Sequence, residues 1–176
     1  MARRKANPEE LRLLTKHFRV MGAFDPESWA RSQLEEGIPQ FARLVFLRQA
    51  WNYIIAEADI SWITPLIEGS ERLPRAPGAG AGPALKRILA AGASPEDVAE
   101  VVRVMQWQVL AGLTYQLSDP GVVEYPSEDL PRINWELFEV NEDGKPLHPI
   151  GMLHESVLDT DPSGREMRPK GVGREG

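Results

Sequence analysis

Cysteine is absent from this chain of 176 residues. Disulfides, thiolate metal sites, iron–sulfur clusters and cysteine nucleophiles are therefore excluded by chemistry, and a reducing compartment is expected. Long apolar runs are missing too. Even the greasiest segment, Leu44 to Ile63, carries Arg48, Glu57 and Asp59, short of the roughly 18 uninterrupted apolar residues of a membrane helix. The basic start, Arg3-Arg4-Lys5, runs into Glu9 and Glu10 with no apolar signal-peptide core behind it. A cytoplasmic location without membrane attachment is the expectation. Basic residues are otherwise scarce near the termini, being confined to Arg165, Arg168, Lys170 and Arg174 at the far end. With no recognisable reading helix among them, a nucleic-acid partner is not expected.

What is present is the composition of a folding domain. The chain is 42% hydrophobic and 26% charged, with a net charge of −6, ordinary for a globular protein able to offset its conformational entropy. The charge is unevenly spread. From Asp119 to Asp161 eleven acids face only Arg132 and Lys145, a local net of −9. A concentrated acidic surface attracts cationic ligands and repels phosphate backbones.

Helix starts are legible because three capping side chains stand immediately before proline and acids: Asn7-Pro8-Glu9-Glu10, Asp25-Pro26-Glu27 and Ser94-Pro95-Glu96-Asp97. The cap oxygen accepts an orphan N–H, proline tolerates the first helical position, and the acids oppose the helix dipole. Helices are predicted near 8–21, 26–36 and 95–117. A fourth, broadly apolar helix is predicted from Pro39 to Ile55, and the pattern restarts near Asp59, which is read as a cap, with a break or kink at Pro65. A short helix is predicted near 83–91. Val98, Val101, Val102, Met105, Val109 and Leu113 form one stripe of the helix after Ser94, expected to pack against the fourth helix.

Residues 74–83, Pro-Arg-Ala-Pro-Gly-Ala-Gly-Ala-Gly-Pro, are expected to be a mobile loop. Their glycines resemble a phosphate-cradling loop only superficially, since no strand precedes them and no Gly-Lys-Ser/Thr follows. From Asp119 the helical period disappears, and Pro120, Pro126 and Pro131 divide the chain into short extended pieces. Trp135 to Val140 leads into Asn141-Glu142-Asp143-Gly144, a turn sequence that predicts a small hairpin returning through Lys145 to Ile150. Pro146 and Pro149 are expected to weaken its ladder. The apolar patch from Ile150 to Leu158 is expected to fold back on the helices. The expectation is a mainly α, single-domain helical bundle of about five to six helices over 1–161, with an irregular acidic segment at 119–161 that can hold a small β-hairpin, and a frayed tail at 162–176.

Three constellations are candidates for function. Trp135, Glu136, Glu139, Glu142 and Asp143 combine an aromatic anchor with carboxylates, the composition of a protein-binding surface for a basic partner. Arg48, Asn52 and Gln106, with Gln108, are polar residues on the two central helices and could line a ligand pocket. His154, Glu155 and Ser156 are the densest grouping of base, acid and nucleophile, but lack the spacing of a helical zinc motif or a demonstrated triad geometry. Neither a metal nor a cofactor is called for. A protein-binding module, such as an inhibitor or immunity-type protein, is therefore expected ahead of an enzyme. The alternative is a small-ligand-binding protein or enzyme with a polar pocket between the central helices, closed by residues 148–161.

Overall fold

The computed structural model describes residues 5–119, 129–130 and 133–169. Arg3, Arg4, Pro120, Glu124, Pro126, Glu128, Pro131, Arg132, Lys170 and Arg174, on which parts of the sequence argument rest, lie outside the described residues. Within them the chain is mainly α, as expected. Seven α-helices and one small sheet follow in the order α1 (Pro8–Val20), α2 (Pro26–Glu36), α3 (Gln40–Trp51), α4 (Ile63–Arg72), α5 (Ala81–Ala90), α6 (Pro95–Ser118), β1 (Phe138–Val140), β2 (Pro146–Pro149) and α7 (Leu153–Ser156). No helix among the described residues is long and apolar enough to cross a membrane.

The three predicted caps form. Asn7 Oδ1 accepts the Glu9 N–H at 2.9 Å, Asp25 Oδ1 the Ser28 N–H at 3.1 Å, and Ser94 Oγ the Asp97 N–H at 3.0 Å; each such cap is worth about 1 kcal/mol. Asp59 does not cap a helix. Its carboxylate accepts the Ser61 N–H at 2.8 Å in a turn, and α4 begins only at Ile63. Pro65 and Pro83 each fall at the third residue of a helix, where the missing N–H would have had no intrahelical acceptor.

The described chain forms two compact units, one from the residues through Tyr53 together with those from Val109 onward, the other Ile54–Gln108. In the first, Phe18, Ala30 and Leu44 are fully buried where α1, α2 and α3 meet. Trp29 and Phe41 stack edge-on against Phe18, with ring centroids 5.9 and 5.3 Å away, which gives the core aromatic packing beyond simple area burial. The C-terminal patch folds back onto this body. Leu153 and Val157 are fully buried, and the Trp51 indole N–H is shared between Val157 O at 3.1 Å and Thr160 Oγ1 at 3.0 Å. Beyond it the buried Asp161 carboxylate accepts Ser163 N–H at 3.0 Å, Ser163 Oγ–H at 2.7 Å and Met167 N–H at 3.0 Å, closing residues 161–167 into a loop.

In the second unit α4 and α5 approach at Gly82, whose N–H donates to Ser70 Oγ at 3.2 Å. The intervening residues are a chain of turns, with Ala76 N bonded to Leu73 O, Ala79 N to Ala76 O and Ala81 N to Gly78 O. The early part of α6 reaches Ile55 with two side chains: Arg103 Nη1 donates to its carbonyl at 2.6 Å and Gln106 Oε1 accepts its N–H at 2.9 Å. The stripe expected to be core differs. Val101 and Met105 in this unit, and Val109 and Leu113 in the first, are all more than half exposed, while Ala99, Arg103 and Thr114 are buried. Arg103 and Thr114 can be buried because each has a hydrogen-bond acceptor, Ile55 O and Ala111 O respectively; an apolar period alone does not reveal such partners.

Candidate functional site

The acidic hairpin lies in the first unit, and its turn is built by Asn141. The Asn141 side-chain oxygen accepts the N–H groups of Asp143 at 3.1 Å and Lys145 at 2.9 Å, and its carbonyl accepts Gly144 N–H at 2.9 Å. Gly144 takes φ +75°, a left-handed conformation that glycine adopts without steric cost. The strands are antiparallel, with Phe138 facing Pro149 and Val140 facing Pro146. Two steps along β1 thus match three along β2, a β-bulge.

This register corrects the expectation about the prolines. Ladder bonds flank the facing pairs, Asn141 N–H to Lys145 O at 3.0 Å and Ile150 N–H to Leu137 O at 2.6 Å. Phe138–Pro149 and Val140–Pro146 are therefore non-hydrogen-bonded pairs. Both proline nitrogens point away from β1, so no donor is lost from the ladder. They blunt the outer edge of β2 instead, a device that discourages further pairing there.

The base of the hairpin is anchored. Trp135 is half-buried and donates its indole N–H to Gln116 O at 2.9 Å. Ile150 is buried, and Leu153 N–H donates to Ser118 Oγ at 3.0 Å, tying α7 to the end of α6. A cleft of about 420 Å³ lies at this base, bordered by Leu117, Ser118, Asn134, Trp135, Leu137 and Ile150.

Strand alternation separates two faces. Glu139 and the half-buried Leu137 follow Trp135, and Glu139 meets His148 Nδ1 at 3.3 Å. The opposite face carries Glu136, Phe138 and Val140, with Phe138 39% and Val140 53% exposed. Glu142 and Asp143 stand exposed at the tip. Four carboxylates and one lysine between Ile133 and Ile150 give the ribbon a formal charge of −3. The structure thus brings the five sequence candidates together on one ribbon, with Trp135 as its anchor. Phe138 and Val140 were not singled out from sequence, although their alternation with Leu137 and Glu139 carried the signal.

The other candidates stand apart. His154, Glu155 and Ser156 are successive residues of the single turn α7, where neighbouring side chains diverge by about 100°. The His154 ring packs edge-on against Tyr115, centroids 4.7 Å apart. Glu155 is exposed and acts on Arg43 through its charge, while Ser156 is buried and its carbonyl accepts the Thr160 hydroxyl at 3.1 Å. Arg48, in the first unit, donates from Nη2 to Gly22 O; burial lowers its pKa, and the nearby Asp161 carboxylate opposes that shift. Asn52 is exposed at the end of α3, and Gln106 belongs to the second unit with its carbonyl engaged by Ile55. Among the described residues no group of three or more His, Asp or Glu side chains is placed to hold a metal ion. Comparison of the chain with protein families, with curated proteins and with solved structures gives no match.

Proposed function

We propose that this chain is a protein-binding module that presents the acidic hairpin to a basic protein partner, as an inhibitor or immunity-type protein occludes a cationic target. The observation that carries this is the pair of exposed apolar side chains, Phe138 and Val140, framed by Glu136, Glu142 and Asp143 on a ribbon fixed at its base. Desolvated apolar groups supply affinity at the centre of an interface, and a charged rim supplies steering and partner choice. A cytoplasmic setting without nucleic acid or membrane belongs to the same proposal.

The test is affinity capture on the immobilised full chain, at about 50 and about 500 mM salt to vary electrostatic screening. Wild type is compared with Phe138→Ser and with the quadruple variant Glu136→Gln, Glu139→Gln, Glu142→Gln, Asp143→Asn. A stoichiometric basic protein held by wild type at low salt and lost with either variant is expected. Identical capture by all three proteins would sink the proposal. Trp135→Ala is unsuitable here, because it also deletes the bond to Gln116 O and so confounds contact with folding.

A second reading, small-ligand binding, is favoured by the volume of the cleft at the hairpin base, about 420 Å³, within the usual range for such sites. Thermal stabilisation by a small molecule that perturbs Trp135 and is indifferent to the quadruple variant would select it.

A further inference from the structure

The two long edges of the hairpin are unlike. Pro146 and Pro149 face outward on β2 and offer no N–H. On β1 the N–H and C=O groups of Phe138 and Val140 also point outward, by the same antiparallel geometry, and they find no backbone partner among the described residues. An edge strand with free donors and acceptors is a template for another strand. Among the described residues, one edge of this ribbon is closed and the other is open.

Charge selects the occupant. A second copy of the chain, pairing β1 antiparallel on β1 about Glu139, would set Glu139 against Glu139 and Glu136 against Glu142. Like charges directly across a strand pair are destabilising, so self-pairing in this register is opposed, and in any register two ribbons of net charge −3 repel. A strand carrying lysine or arginine meets opposite charges at the same positions. The backbone leading into β1 also borders the cleft at the hairpin base, where Trp135 and Leu137 are joined by Glu136. An apolar wall at the base of a ribbon of net negative charge suits a side chain with a hydrocarbon stem and a cationic end.

We infer that the open edge of β1 takes an extended basic segment of the partner as a third strand, paired through the backbone of Phe138 and Val140, with the hydrocarbon stem of a lysine or arginine in the cleft beside Trp135 and Leu137. This rests on the hairpin being the protein-binding surface proposed above, and it adds backbone pairing as the mode and an extended cationic peptide as the ligand.

Two synthetic peptides of alternating lysine and valine, about ten residues long, test this against the full chain at about 150 mM salt. One is ordinary; the other is N-methylated at every backbone amide, which keeps charge and side chains but removes all donors. The ordinary peptide should bind, slow amide exchange at Phe138 and Val140 by about tenfold or more, and bind about tenfold more tightly than its methylated counterpart. Val140→Pro, which removes an outward donor, should weaken binding further than Val140→Ala, which keeps it.

Equal binding of both peptides without amide protection overturns strand pairing and leaves the acidic surface as a charge-selective site. Binding of neither peptide also overturns it, and the capture experiment then decides the surface proposal by itself. Protection of Phe138 and Val140 without peptide, accompanied by sedimentation as a dimer, would assign the edge to a second copy and overturn the basic-segment inference.

Discussion

Arg43, buried in α3, donates a hydrogen bond from Nη2 to the carbonyl of Met152, 109 residues further along the chain. Met152 is held at φ +55°, in the left-handed region, immediately before α7. Burial lowers the Arg43 pKa, with the Glu155 carboxylate opposing that shift. A guanidinium is needed because Nη1 also reaches Gln40 Oε1 at 3.3 Å, and a single ammonium cannot match that fork. Arg43→Met is expected to cost about 2 kcal/mol and Arg43→Lys to recover little of it. Denaturant unfolding, with proteolysis near residues 150–161 as a local readout, checks both.

Trp51→Phe keeps the ring in the core and deletes the donor shared by Val157 O and Thr160 Oγ1. A loss of about 1 to 2 kcal/mol is expected, because buried acceptors are left with one partner fewer. Thr160→Val should show coupling with Trp51→Phe of about 0.5 kcal/mol or more in a double-mutant cycle. Strict additivity would show that the two side chains contribute independently.

Gly82 of α5 packs directly against α4. A Cβ there would lie 2.5 Å from Ser70 Cβ and 3.2 Å from Ile67 Cα. Gly82→Ala is expected to destabilise the chain by about 1 to 3 kcal/mol through overpacking, despite alanine's better helix propensity. Combining it with Ser70→Gly should restore part of the loss in thermal unfolding; no restoration would place the strain elsewhere.

Asp59 has its pKa lowered by hydrogen bonds from the Ser61 hydroxyl and N–H. Its folded-state value lies below its unfolded value, so its contribution to stability is present above the unfolded pKa and is lost as pH falls through the folded one. The stability difference between wild type and Asp59→Asn should therefore be constant near neutrality and shrink on acidification below about pH 4. A difference unchanged down to pH 2, about the bottom of the carboxylate range, would show that the charge is not involved.

The legible parts of the fold were those governed by neighbours in sequence. Asn7, Asp25 and Ser94 cap their own helices within three residues, so α1, α2 and α6 start where composition places them. Asn141 and Gly144 likewise specify their turn. Asp59 misled because an Asp two residues before Ser61 satisfies a turn as readily as a cap, and only the later chain path decides. The side of α6 that is buried depends on acceptors such as Ile55 O, far from Arg103 in sequence. In the hairpin, acids and tryptophan were visible as composition. That Trp135 anchors while Phe138 and Val140 face outward required the strand register and the Gln116 carbonyl.

The interleaved path of the chain also orders events during synthesis. Arg103 and Gln106 meet Ile55 across 48 and 51 residues, all within one uninterrupted stretch. Trp51 must wait 109 residues for Thr160. On a ribosome, Ile54–Gln108 is therefore fully emitted while Trp51 still lacks Val157 and Thr160. Contacts that close late in sequence form slowly and leave apolar surface open in the meantime. A stalled chain ending before residue 150 is therefore expected to leave Trp51 uncovered.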